Sequence, residues 1–204
     1  QGWDIRGKRS AVWQFDEGSG TTASDLLATY SLDGYETPGW DSAGMKVGTS
    51  CTTLDGSTEY WKNISFTIGS GDFCICGWIY HDDTGAGTET IVDCGQATAA
   101  KATLSINASN LLVLSYGGSS DTGTTVIPTG EWVFVWYRKS GTTVDAGFTP
   151  ATSSTFSTIS ECSISGSATI TPGMTFGVVI TPPFSSKTNY FDGKLDQFIG
   201  CIGT

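Results

Sequence analysis

Twenty carboxylates and a single histidine are the residues of this 204-residue chain that could move a proton. A retaining glycosidase needs two carboxyl groups about 5 Å apart, and residues two apart on a strand share a face. No two Asp or Glu residues stand two apart. His81 is followed by Asp82-Asp83, which read as a turn, so its expected place is an exposed strand end. The only arginines are Arg6, Arg9 and Arg138. No Gly-rich loop ends in Lys-Ser or Lys-Thr, so no phosphate cradle is present. The chain is therefore expected to be non-catalytic, with a polysaccharide hydrolase or lyase as the outlying alternative.

The cysteines are Cys51, Cys74, Cys76, Cys94, Cys162 and Cys201. Zinc sites favour Cys pairs spaced by two to four residues, and the only close pair here is Cys74-Ile75-Cys76. With one histidine in the chain, neither a zinc site nor a base for a catalytic thiol is expected. An even cysteine count in such a chain suits an oxidising compartment, and the pairing stays open. Cys74 and Cys76 would sit about 6.5–7 Å apart on one strand face. That is too far for a bond to each other.

Aromatic side chains can stack on sugar rings, and the chain has 7 Trp, 7 Tyr and 10 Phe. Most must be core. Candidates for exposure are Trp3, Trp40, Trp61, Tyr80, Tyr116 and Tyr190, of which Trp40, Tyr80 and Tyr116 are the expected ligand contacts. Asn63-Ile64-Ser65 and Asn107-Ala108-Ser109 match glycosylation sequons. The net charge of −10 repels phosphate backbones and anionic lipid surfaces, which excludes nucleic acid as a partner. No apolar run approaches the roughly 20 residues that span a bilayer. The first residue is Gln1, so the chain is expected to be processed or cut from something longer. The basic arm Ile5–Arg9 could dock onto an acidic partner or lie solvated.

These residues must be positioned by strands. Twenty-seven glycines, with abundant Ser, Thr and aromatics and only 15% charged residues, describe β-structure broken by many turns. The clearest strand is Asp72–His81. Phe73, Ile75, Gly77 and Ile79 lie on one face of it, and Cys74, Cys76, Trp78 and Tyr80 on the other. Ala11, Trp13 and Phe15 alternate in the same way. Further strands fit 49–55, 58–64, 88–94, 102–107, 110–116, 123–127, 131–138, 142–148, 161–164, 167–171, 174–180 and Tyr190–Ile202. Pro150–Ser160 reads as a loop or edge, and Pro182-Pro183 breaks pairing. A dozen short strands at this spacing predict a two-sheet sandwich.

Six segments carry a family resemblance. Trp13-Gln14-Phe15-Asp16-Glu17-Gly18-Ser19-Gly20-Thr21-Thr22-Ala23-Ser24-Asp25 resembles the opening strand and turn of laminin-G-like, concanavalin-A-like jelly rolls. Pro38-Gly39-Trp40 with Gly44–Gly48, and Leu54-Asp55-Gly56-Ser57-Thr58-Glu59-Tyr60, resemble the segments that follow. Phe73–Tyr80, Glu131–Val135 and Phe191–Phe198 are similar to three later strands, the last being the closing one. The resemblance implies an all-β, two-sheet antiparallel jelly-roll sandwich over residues 11–204, preceded by an arm at 1–10. It also implies one structural calcium ion held by Asp16, Asp25, Asp192 and Asp196 from the opening and closing segments. A second acidic group, Asp82, Asp83, Glu89 and Asp93, is less favoured, and solvated turn aspartates are the alternative. In the resembled fold the closing strand runs beside Phe73–Tyr80. Cys201 is therefore expected to bond Cys74 or Cys76, the alternative being six reduced thiols. The function implied is a non-catalytic, extracellular adhesion or carbohydrate-binding module with a glycan or cell-surface partner. The second reading is a structural surface protein of a virion, assembled through the N-terminal arm.

Overall fold

The computed structural model describes residues 9–82, 87–95, 100–153, 160–181 and 186–203, and their regular structure is all strand. Two antiparallel sheets form the layers of a sandwich. The first contains β1 (Arg9–Trp13), β4 (Gly39–Asp41), β5 (Cys51–Asp55), β7 (Phe73–His81), β12 (Trp132–Ser140), β13 (Thr143–Pro150), β14 (Cys162–Ser165) and β18 (Asp192–Ile202). The second contains β2 (Thr22–Ala23), β3 (Leu32–Tyr35), β6 (Tyr60–Asn63), β8 (Glu89–Cys94), β9 (Ala102–Ile106), β10 (Leu111–Tyr116), β11 (Ser119–Val126) and β15 (Met174–Phe176). A hairpin of β16 (Val179–Thr181) and β17 (Ser186–Thr188) stands apart from both. The expected two-sheet β-sandwich is the fold.

Residues 1–8 of the basic arm lie outside the described residues, as does Trp3. The backbone of Arg9 and Ser10, assigned to the arm from sequence, belongs to β1 and pairs with Ile202 and Cys201. β18 runs between β7 on one side and β5 and β1 on the other. The closing strand thus lies beside β7, as the resemblance implies.

Alternation decides what faces inward. Trp13, Phe15, Leu54, Phe73, Ile75, Ile79, Val133, Val135 and Phe198 are all buried in the core between the sheets. Trp13 packs edge-on against Phe66 and Phe176, and its indole N–H donates to the Tyr30 carbonyl at 2.7 Å. That bond lets a large polar-tipped side chain be buried without an orphaned donor.

Several sequence expectations change. The stretch 26–48 contains β3, held between β2 and β6, and the edge strand β4, both too short to show alternation. The strand expected at 167–171 reduces to one bridge, Gly69 to Ile170. The strand expected at 174–180 breaks at Gly177, whose φ of 87° favours glycine. This break turns β16 away from β15, and Val178 and Ile180 pack with Tyr60 in a small second cluster.

Gly77 has a specific purpose. A Cβ there would lie 2.5 Å from the Phe198 ring. The register between β7 and β18 shifts between Asp196 and Ile199, and Gln197 takes a φ of 49°. The bulge swings Phe198 into the space that Gly77 leaves. Gly77→Ala should therefore lower unfolding stability by about 1–3 kcal/mol through overpacking. Denaturant unfolding checks this, with a lower midpoint and an unchanged slope expected.

Candidate functional site

The inward side chains of β7 and β12 leave the alternate residues on the outer face of the first sheet. In register, Trp132 stands opposite Tyr80, Phe134 opposite Trp78, Trp136 opposite Cys76 and Arg138 opposite Cys74. Two aromatic tiers result. Tyr80 and Trp132 meet edge to face at 5.7 Å, and Trp78 and Phe134 at 5.2 Å. All four are half-buried. Trp136 is more covered, at 7% exposure.

Cations border each tier. Lys194 Nζ lies 5.0 Å from the Tyr80 ring centroid, Lys46 Nζ 4.7 Å from Trp78, and Arg138 5.2 Å from Trp136. Two of them are also paired with carboxylates. Lys194 bonds Asp41 at 2.8 Å, and Arg138 bonds Asp145 at 3.1 Å. The Lys194 hydrogen bond, with the Ala43 and Gly44 N–H groups, holds the Asp41 carboxyl down to about 2. These pairings neutralise two of the three cations.

The segment 42–50 between β4 and β5 folds back over this face. The backbone N–H groups of Lys46 and Val47 both donate to Asp196 Oδ2 at 2.8 Å. Trp132 Nε1 donates to the Gly44 carbonyl at 3.2 Å. Asp196 is fully buried beneath the segment, and its Oδ1 has no hydrogen-bond partner among the described residues. Burial pushes its carboxyl up to about 6 against those two N–H bonds, with the Asp16 charge adding to the rise.

The four aspartates expected to share calcium separate. Asp25 is buried in its own loop, where its carboxylate accepts the N–H groups of Val12, Leu27, Thr29 and Tyr30. Asp192 stands opposite Asp55, at the end of β18 away from Asp25. Only Asp16 and Asp196 approach one another, near enough for one charge to act on the other. The groups bonded to them include the N–H groups of Lys46, Val47, Thr49 and Ser50, which suit a carboxylate rather than a cation. Calcium wants six to eight oxygens, and this set does not fit it. Among the described residues no three His, Cys, Asp or Glu side chains converge as a metal site. In the second acidic group, Asp83 is outside the described residues. Asp93 is bound by Lys101 and Thr103, and Glu89 accepts the Asp192 N–H.

Of the three expected ligand contacts, Tyr80 lies on the aromatic face. Trp40 instead packs edge-on against Trp61 and donates to the Gly20 carbonyl. Tyr116 is 1% exposed, with its hydroxyl on the Ala168 carbonyl. Trp40 is half-buried where it packs against the rim of the core, and Tyr116 lies within the core. Trp61 is buried too, while Tyr190 is half-buried beside Tyr60. Trp78, Trp132 and Phe134 share the aromatic face with Tyr80 and were not among the expected contacts. His81 is not exposed: it is 1% accessible, 3.3 Å from Glu89, and against Phe191. Its odd-numbered place beside Ile79 turns it inward. Cys201 is the register partner of Cys74, yet no disulfide is present and all six cysteines are thiols. The strand order that motivated the cross-link is present without the bond.

No family model matches the sequence, and no curated protein does. Solved structures do resemble the fold. Domain 4 of a GH43 extracellular arabinanase from Geobacillus stearothermophilus, solved with arabinotriose, has a TM-score of 0.69 at 14% identity, covering 96% of this chain and 93% of that one. A structure of botulinum neurotoxin type C, whose cell entry is dependent upon interaction with two ganglioside molecules, has a TM-score of 0.66 at 12% identity. The match covers 97% of this chain and 48% of the toxin chain. A mutant Trypanosoma rangeli sialidase has a TM-score of 0.64 at 10% identity, covering 94% of this chain and 30% of that one. This chain therefore spans about half of the toxin chain and under a third of the sialidase.

The Asp196 shift has a sign that can be tested. Its folded value, about 6, lies above the ordinary 3.8. Such a group binds its proton more tightly when folded, so its contribution to stability falls as pH rises from about 4 to 6. Asp41 acts oppositely, its contribution being lost only as pH falls from 3.8 toward about 2. Asp196→Asn should remove much of the stability loss between pH 4.5 and 7.5, measured by denaturant midpoints at both values.

Proposed function

We propose that this domain is a non-catalytic glycan-binding module that presents the outer face of β7 and β12 to a neutral oligosaccharide. The observation that carries the reading is the pair of half-exposed aromatic tiers, Tyr80 with Trp132 and Trp78 with Phe134. Ring faces and edges suit the apolar C–H surfaces of sugars. The bordering Asp41, Lys194, Arg138 and Asp145 offer donors and acceptors for hydroxyl groups. Their mutual pairing favours an uncharged ligand over an acidic one. The fold neighbours support glycan binding in general: one was solved with arabinotriose, and another concerns interaction with gangliosides.

A non-catalytic role accords with how the carboxyls of the face are held. Asp41 and Asp145 are tied to cations, and Asp196 lies beneath the 42–50 segment. Neither pair is poised as an acid with a nearby base. An extracellular or particle-surface location goes with this reading.

A glycan array containing arabino-oligosaccharides, gluco-oligosaccharides and ganglioside-type glycans, followed by calorimetry, tests the proposal. Binding is expected among the neutral ligands, weakened at least about tenfold by Tyr80→Ala or Trp132→Ala. Val126→Ala, an exposed position on the second sheet, should leave it unchanged. Release of reducing ends from the same ligands, or binding indifferent to Tyr80 and Trp132, would contradict the reading.

A further inference from the structure

The six cysteines fall into two groups with unlike surroundings. Cys51, Cys94 and Cys162 are buried. Burial raises their thiols, to about 12 for Cys51 and Cys162 and well above the ordinary value for Cys94. Such thiols are inert, because the thiolate is the reactive species. Cys74, Cys76 and Cys201 are only half-buried and stand together on the outer face of the first sheet. Cys74 and Cys201 are direct partners between β7 and β18. The Cys74 thiol donates a hydrogen bond to Cys76, which favours the thiolate at Cys76. The same hydrogen bond, together with burial, holds the Cys74 thiol well above its ordinary range, and the charge of Arg138, opposite Cys74 on β12, offsets only part of that rise.

We propose that these three residues form a thiol-redox site, at which a small-molecule disulfide such as oxidised glutathione closes a Cys74–Cys201 bond. The register selects that pair. Direct partners in antiparallel strands have Cα atoms about 4.5–5.5 Å apart, within the roughly 4.4–6.8 Å that a disulfide spans. The Cys76–Cys201 diagonal, about 7–8 Å, is too long.

Two thiol–disulfide exchanges balance the chemistry. Cys201, on losing its proton to solvent, attacks one sulfur of RS–SR. A Cys201–S–S–R bond forms, and RS⁻ leaves and takes up the proton Cys201 released. Cys74 then gives its proton to Cys76, which passes it on to the departing RS⁻, and attacks the Cys201 sulfur. The Cys74–Cys201 bond forms and the second RS⁻ leaves, to be protonated in turn. Two protein thiols are oxidised, and one small disulfide is reduced to two small thiols. The bond ties the closing strand to β7 across a loop on the order of 100 residues, which restricts the unfolded chain. This site rests on the placement of the sulfurs and is independent of the glycan reading.

The test is to incubate native protein with oxidised glutathione, alkylate it in denaturant without reduction, and map the products by mass spectrometry. The expected result is a mass loss of two hydrogens and a cross-linked peptide pair containing Cys201. The link should persist in Cys76→Ser, forming more slowly, and be absent from Cys74→Ser. Oxidised wild-type protein should also melt higher than reduced protein, with no such difference in Cys201→Ser. Alkylation of all six cysteines, a stable glutathione adduct in place of the link, or a link that survives Cys74→Ser would overturn the proposal.

Discussion

The pairing of β7 with β12 fixes the rest of the structure. Eight residue pairs hold from Trp132 opposite Tyr80 to Lys139 opposite Phe73. Because side chains alternate with period two, this register commits Ile75, Ile79, Val133 and Val135 to the core and Trp78, Tyr80, Trp132 and Phe134 to the outside. A slip of one residue would exchange the two sets, placing aliphatic groups in water and indole rings in an already filled interior. Core and candidate site are two faces of one constraint.

Around that pair the structure spends its polar groups on the outer face. The bulge in β18 places Phe198 over Gly77 and leaves Asp196 on the opposite side. There Asp196 accepts two backbone N–H groups and anchors the 42–50 segment across the sheet. Lys194 and Asp41 stitch β18 to β4 at the border of the aromatic tiers. Three of the ten basic residues thus meet aromatic rings of one face, two of them neutralised by carboxylates. The second sheet is treated differently: the β16–β17 hairpin brings Val178 and Ile180 against Tyr60 outside the main core.

Much of the core was legible because alternation is a local signal. Asp72–His81 read correctly as a strand with two distinct faces, and the same parity would have sent His81 inward had it been followed to the strand end. The outward place of Tyr80 was legible for the same reason. Those of Trp132 and Phe134 were not, because the run Trp132–Tyr137 reads as almost uniformly apolar and hides which residues face out. Tyr116 is buried because ring burial depends on non-local partners, here Ala168, and the half-buried Trp40 turns toward Trp61 rather than the aromatic face. The scattered aspartates show the same limit. Asp25 serves backbone N–H groups within its own loop, while Asp196 serves residues about 150 positions away. Nothing in residue type separates these roles.

The central claim, that the outer face of β7 and β12 meets the ligand, is tested most directly by nuclear magnetic resonance. The isotope-labelled domain would be titrated with neutral oligosaccharides, arabinotriose among them. The account predicts that the largest shifts fall on Trp78, Tyr80, Trp132 and Phe134 and on the 42–50 segment, with the indole N–H of Trp132 among them. Shifts confined to the second sheet, around Tyr35 and Tyr60, would contradict it.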